Sequence, residues 1–576
     1  MLARRSSDGD VESARRLGLL GRELSLPLKM GKERKGDKDL SSWMIDGGWP
    51  VKITPAKEGW PFNKKLFVLF FSSWLSSPKL IILDGSTSTV VQLMATIPDS
   101  SVKVVEEVSH VSPPPGSVPT ASLPLTFFDL LYLVTIPLNC NWMQRLFFYD
   151  FECPASDFMR TVVPSLKASL SLTLRHFFPF AGNVVFPLPP RMPYIVYTEG
   201  DSVSFVVKET SADFNHLVGD HARDHEGFLA LVPQKPPAIE CTSSSNDTDG
   251  CSQESAMAVQ VTVFPNAGFS IGVGFSHNVA DGRTFAHFMK SWAFIHRCQG
   301  DLACLDNYLP CFDRGSVIDP LGLASLFMKD VERAFRVTNS PNICFNNLRV
   351  TYRIKRSQVE LLKDWVKAKC MQVNGSKPMR MSTFVVTCAY MWVCLIKLHQ
   401  IGTHQHLSPI ESDALSYFHF PADCRVYLKV PETYFGNCLM LRLTSAKKSE
   451  LLGGNGILVA AAAIEREIMA FQKQPFKDAR ESLPKTIEKN KMEKDIVLLI
   501  SSPKFGLYNT DFGCGKPRKT EVSMLQSFGR RSMICISESR EEEGGVEFAM
   551  GFASHESVNS FSGIFMEGLS KLHSSK

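Results

Sequence analysis

The chain has 576 residues, of which 44% are hydrophobic, 21% charged and 10% aromatic, with 37 Gly and 34 Pro. These values exclude collagenous, coiled-coil and wholly disordered architectures, and at roughly 100–200 residues per domain the length implies more than one folding unit. Residues 1–93 hold 15 of the 63 basic and 10 of the 58 acidic side chains, which leaves 48 of each sign in residues 94–576. A formally neutral body lacks the basic surface that a phosphate backbone needs, so no nucleic-acid partner is expected.

Residues 1–93 mix charges without periodicity, and their acidic residues argue against a transit peptide. The apolar run Leu66 to Leu75 is too short to cross a bilayer, so no membrane partner is expected. Met94-Ala-Thr-Ile-Pro98 looks like a second beginning. We therefore expect 1–93 to be a dispensable extension, disordered or a gene-model artefact, followed by a first domain at 94–298. Within that domain Thr242 to Glu254 is polar and reads as a mobile loop. Met257, Val259, Val261 and Val263 alternate with smaller or polar residues, and after a Pro-Asn-Ala-Gly turn so do Ile271, Val273 and Phe275, which predicts two paired strands. Phe285, Phe288, Met289, Trp292 and His296 then recur at helical spacing.

Residues 299–347, punctuated by Pro310, Pro320 and Pro341, read as a crossover to a second domain at 348–576. There Ser357-Gln-Val-Glu360 predicts a capping box opening a helix with Leu361, Leu362 and Trp365 inward. Met533 to Ile536 and Val546 to Phe552 read as strands, and Phe561, Ile564, Phe565 and Leu569 as a closing helix. The whole is a mixed α/β protein in two halves. The 15 cysteines include no Cys-x-x-Cys pair, so reduced thiols and a cytoplasmic location are expected. The sequons at Asn246 and Asn374 carry no weight without a secretory signal.

A His-x-x-x-Asp spacing occurs at His216 and Asp220, His277 and Asp281, and His419 and Asp423. Only His277 lies where an apolar strand ends and a Gly-containing turn enters a helix, the kind of loop that presents reactive side chains. Read on its own residues, His277 could equally be a capping or core histidine. His221 and His225 stand four apart, but Arg223 lies between them and no helical Glu accompanies them, so no metal site is expected.

Ser276 to Gly282 resembles the His-x-x-x-Asp-Gly motif of the plant BAHD acyltransferases, and Asp511-Phe512-Gly513-Cys514-Gly515 resembles that family's Asp-Phe-Gly-Trp-Gly motif. Leu123 to Asp129, His176 to Gly182 and Gly544 to Glu547 add to the resemblance, which covers about residues 100–572. Tyr434-Phe435-Gly436-Asn437-Cys438 is similar to a signature of the branch rich in anthocyanin and flavonoid glucoside malonyltransferases. The resemblance implies two chloramphenicol-acetyltransferase-like α/β domains, each a mixed sheet flanked by helices, with the active site in a tunnel between them. It implies no bound cofactor, an acyl-CoA co-substrate (malonyl-CoA by the branch signature, a hydroxycinnamoyl donor as alternative), a small-molecule glucoside acceptor and a monomer. By the same resemblance His277 is the general base, Asp281 and Arg425 form a salt bridge that shapes its loop, and Asp511 to Gly515 is architectural and lies away from His277. Arg283 is a local rival for Asp281 and a candidate for the acyl pocket. Cys514 stands where the family has Trp, which motivates a non-catalytic coenzyme or metabolite binder as the reading from another class. Ser276 stands where condensation domains of peptide synthetases prefer a second histidine, which sets those domains aside.

Overall fold

A computed structural model of the chain describes residues 102–135, 141–188, 190–241, 251–300, 308–336, 348–375, 381–401, 414–493, 495–523 and 531–574, with short strands at 42–91 and at 527–528. Two compact units divide at Ser100 and Ser101. In the first, Ser42–Ile45, Trp49–Pro55, Leu66–Phe71, Lys79–Asp84 and Val90–Val91 form an antiparallel meander. The apolar run from Leu66 supplies a strand; apart from these strands, residues 1–93, where disorder is expected, lie outside the described residues.

The second unit carries two large sheets. Its main strands are β1 (Val102–Val111), β2 (Trp142–Asp150), β3 (Val203–Thr210), β4 (Met257–Phe264), β5 (Gly268–Ser276), β6 (Leu348–Ile354), β7 (Leu415–Asp423), β8 (Leu439–Lys447), β9 (Ile496–Ile500), β10 (Lys519–Val522), β11 (Arg531–Glu538) and β12 (Val546–Phe552). Its main helices are α1 (Phe127–Thr135), α2 (Ala155–His176), α3 (Gly282–Arg297), α4 (Leu323–Arg336), α5 (Arg356–Asn374), α6 (Thr383–Ile401), α7 (Gly456–Lys473) and α8 (His555–Ser574). The first sheet has the order β10-β2-β5-β4-β3-β1, and the second runs from the short strand Arg223–Asp224 through β6-β12-β11-β9-β7-β8.

The β4–β5 hairpin forms in the expected register, Met257 opposite Phe275 and Val263 opposite Phe269. Every residue of both strands is buried. The strands therefore read as apolar on one face and mostly as small or polar residues on the other, because helices cover one side and chain segments the other.

The sheets exchange strands. β10, from the second half of the sequence, pairs with β2 of the first sheet, and Arg223–Asp224, from the first half, pairs with β6 of the second. The core under the first sheet likewise takes Tyr434, Phe435, Cys438, Leu507 and Phe512 from the second half. A clean division at 298 and 348 therefore gives way to two interlocked layers.

Four local expectations need correction. The crossover contains α4, which packs on α1; residues 301–307 and 337–347 of it lie outside the described residues. Of the polar stretch from Thr242, residues 242–250 also lie outside, but Cys251–Ser255 is a strand on Asn183–Pro187. Cys251, opposite Cys241 in its other ladder, is disulfide-bonded, so not every thiol is reduced. The cap of α5 is Lys355, whose N–H donates to Gln358 Oε1 at 2.8 Å, and Val359, Leu362 and Val366 form its buried face. Helix α6 is long and apolar enough to cross a membrane by length and composition, yet its central residues are packed in the second core against α5, α7 and α8.

Candidate active site

His277 follows β5 directly. Its N–H donates to Asn141 O at 2.8 Å, continuing the β2–β5 ladder by one residue. The chain then turns, and Asp281 caps α3, its Oδ1 accepting from the N–H groups of Arg283 at 3.1 Å and Thr284 at 2.9 Å. An Asp at the N-cap satisfies orphan amides and places negative charge at the positive helix end.

The same carboxylate holds Arg425. Nη1 lies 2.8 Å from Oδ2 and Nη2 3.1 Å from Oδ1, a bidentate pair buried on both sides, and Cys438 N donates to Oδ2 at 3.2 Å. Arg425 Nη2 also donates to Thr284 Oγ1, Tyr434 O and Gly436 O. Burial alone would raise the Asp281 carboxyl, but Arg425 and the amides of Thr284 and Cys438 hold it below the usual carboxylate value. Asp281 thus faces the second half of the sequence. Arg283 pairs instead with Asp423 at 3.0 Å and Glu432 at 3.4 Å, so it is neither a rival for Asp281 nor a free cation for an acyl group.

A second buried ion pair, which sequence reasoning missed, stands on the other side of the loop. Asp129 on α1 accepts from Thr126 N and Oγ1, from Arg314 Nη1 at 2.8 Å, and from both the backbone N–H and the side-chain amide of Asn437. The Asn437 amide also donates to the backbone carbonyl of His277 at 2.7 Å. Asp129 lay inside the quoted Leu123 to Asp129 motif without a role, whereas Arg314 sits in the crossover, where no motif marks it.

The residues Tyr434 to Cys438 are all buried. Tyr434 OH accepts from Arg314 Nη1, and its carbonyl accepts from Arg425. Gly436 sits at φ 135°, and a Cβ there would stand 2.6 Å from Arg314 Nη1, so only glycine fits. The segment is a brace joining the two arginines.

The imidazole of His277 is half-buried and stacks on Tyr132, ring centroids 3.8 Å apart at 15°. Burial lowers its pKa; its own carbonyl, Asp281 and Asn437 oppose that shift, and Arg145 reinforces it. A neutral imidazole at pH 7 is the state of a base.

Asp511 to Gly515 lies at the far end of α3, about 24 Å along the helix at 1.5 Å per residue. Asp511 Oδ1 accepts from Gly513 N at 2.7 Å and Gly515 N at 2.8 Å, closing a turn in which both glycines have φ near +90°. Phe512 packs edge-on against Trp292 and Tyr149, and its carbonyl meets His296 Nδ1 at 2.9 Å. The side chain at 514 takes no part in that turn; burial and Asp511 push the Cys514 thiol up to about 12.

The other two motifs lack such surroundings. His216 is exposed and bonds His221, while Asp220 pairs with Lys519 and Arg353. His419 is buried in β7, its pKa lowered by burial to about 4. Among the described residues no group of three or more His, Cys, Asp or Glu side chains could hold a metal.

The site is thus a histidine at the end of a central strand, its loop locked by a buried Asp–Arg pair. Residues 102–562 match the model of the Transferase family, and the chain belongs to that family, the BAHD acyltransferases. It is 34% identical over 475 residues to the coumaroyl-CoA:anthocyanidin 3-O-glucoside-6''-O-coumaroyltransferase 1 of Arabidopsis thaliana, covering 81% of this chain and 97% of the relative. It is 33% identical to the malonyl-coenzyme A:anthocyanin 3-O-glucoside-6''-O-malonyltransferase of Dahlia pinnata, covering 80% and 96%. Among solved structures, vinorine synthase superposes with a TM-score of 0.55 at 18% identity, covering 80% of this chain and 96% of that one. The fold is that of the two-domain chloramphenicol-acetyltransferase-like enzymes, and the protein is an acyltransferase that uses acyl-CoA.

Proposed function

We propose that the chain moves a malonyl group from malonyl-CoA to a sugar hydroxyl of a flavonoid, anthocyanin or other phenolic glucoside, with His277 as the general base. The observation that carries the reading is the neutral imidazole of His277 on a loop pinned from one side by Asp281 and Arg425 and from the other by Asn437 and Asp129. The imidazole takes the proton of the acceptor hydroxyl as its oxygen attacks the thioester carbon. Collapse of the tetrahedral adduct breaks the carbon–sulfur bond, and the imidazolium returns the proton to the coenzyme thiolate. Such a base contributes roughly 10² to 10⁴ in rate, and the alignment of two bound substrates supplies the rest. No cysteine is required as nucleophile, since burial raises the thiols of Cys424 and Cys438.

The acceptor class is supported by relatives named as acyltransferases of anthocyanin or phenolic glucosides, from both coumaroyl and malonyl donors. A coumaroyl donor is the second reading, favoured by the Arabidopsis relative at 34% identity. Tyr434 to Cys438 are buried and frame the loop. We further infer a monomer working in the cytosol. Incubating the purified protein with malonyl-, acetyl- and coumaroyl-CoA and a panel of flavonoid glucosides, with product masses read out, tests the reading; no acylated glucoside from any donor would overturn it.

A further inference from the structure

Five arginines are buried among the described residues. Arg223 pairs with Glu521, Arg314 with Asp129 and Arg425 with Asp281, each at 2.8 Å, and Arg349 lies in the field of Glu521. Arg145 differs. Among the described residues no carboxylate reaches it; Nη2 donates to Ser501 Oγ at 3.1 Å, and the guanidinium faces the Cys535 thiol. Ser501 itself stands at φ 69°, a strained conformation for a non-glycine residue, immediately after β9. A guanidinium has five N–H donors, and an enclosed charge without a counter-ion is costly.

The place of this cation is fixed by the register. Arg145 on β2 is directly opposite Val273 on β5, and opposed residues share a face of the sheet. His277 follows Val273 and Phe275 at the next odd position, about 13 Å further on between Cα atoms at ~3.3 Å per residue. Arg145 is among the charges that lower the pKa of the imidazole.

We propose that Arg145, with Ser501 Oγ beside it, receives the free carboxylate of a dicarboxylic acyl donor and so makes this acyl pocket one for a malonyl-type thioester. The inference rests on the acyl-transfer reading above and supplies its donor. A carboxylate one methylene beyond the thioester carbon lies within reach of a cation on the base's own sheet face. The coenzyme's phosphates do not, because the pantetheine arm holds them far from the sulfur. Arginine's fork matches a carboxylate in two hydrogen bonds, and lysine offers only a point charge.

The test compares kcat/KM for malonyl-CoA and acetyl-CoA, with one flavonoid glucoside, in wild type, Arg145→Gln and Arg145→Lys. The malonyl-to-acetyl ratio should fall at least thirtyfold in Arg145→Gln and recover in part in Arg145→Lys. A second measurement needs no variant: wild type should use the methyl ester of malonyl-CoA at least thirtyfold less well than malonyl-CoA. A ratio unchanged in Arg145→Gln, or an ester used as readily as the acid, overturns the role of Arg145 while leaving the malonyl reading in place. A wild type that acylates from coumaroyl-CoA and not from malonyl-CoA overturns the donor reading itself, and the assignment of Arg145 with it.

Discussion

Asp281 and His277 are four residues apart, yet the Asp281 carboxylate is taken by both terminal nitrogens of Arg425, at 2.8 and 3.1 Å. No hydrogen bond joins Asp281 to the imidazole among the described residues. On the proposed reading the aspartate shapes the loop and the histidine does the chemistry, so the two should fail differently when changed.

Replacing His277 by Ala should lower kcat by roughly 10² to 10⁴ while leaving coenzyme A affinity and melting temperature close to wild type, since a base acts in the transition state. His216→Ala and His419→Ala serve as comparisons. Steady-state kinetics on all three would reverse the choice among the motifs if His216→Ala were the inactive one.

Arg425→Ala strands a buried carboxylate and should cost about 3–5 kcal/mol in denaturant unfolding. The double variant Asp281→Ala with Arg425→Ala should lose less than the two single losses combined, because neither charge is then left alone. Additive losses would mean that the pair is not coupled.

Asn437→Ala removes the amide that spans Asp129 and the His277 carbonyl, leaving both acceptors short of a donor. Its expected signature is a kcat lowered about 10- to 100-fold with KM nearly unchanged, and an unfolding cost of about 1–3 kcal/mol. A change confined to KM would argue against the brace.

Acid should weaken both activity and fold. His277 has a pKa lowered by burial, so kcat/KM should be flat at neutral pH and fall only below about 6.5 as the base is protonated. His419 and His225 are held by burial at about 4 and about 3, below the unfolded value near 6.5. The unfolded chain therefore binds more protons between those values, and stability present above pH 6.5 is lost as pH falls toward 4. Urea midpoints from pH 7 to 4 should decline, and less steeply in His419→Leu; parallel declines would remove His419 from the account.

A chain starting at Met94 should stay soluble and turn over like the full protein, because every residue of the site belongs to the unit that begins at Ser101. Loss of soluble protein on truncation would show that the first unit is needed.

What the sequence displayed best was what lies close along the chain. The β4–β5 hairpin, the turn at His277 and the start of α3 are contiguous, so alternation, a glycine and helical spacing sufficed. Arg425 was reached only through family resemblance, and Asp129 and Arg314 are separated by 185 residues. No local pattern announces that two such side chains meet in a core. Tyr434 to Cys438 was legible as a branch signature through resemblance, but no local pattern shows that the segment is a buried brace between two arginines.

The placement of β10 carries a further consequence. During synthesis β2 can pair with β5 as soon as residue 276 has emerged, but its other edge stays bare until residues 519–522 arrive, some 240 residues later. An open edge is a template for pairing with a neighbouring chain. The first half must therefore wait on the ribosome with one flank unguarded, and the yield of folded protein should be governed by how well that flank is shielded until the last tenth of the chain has been made.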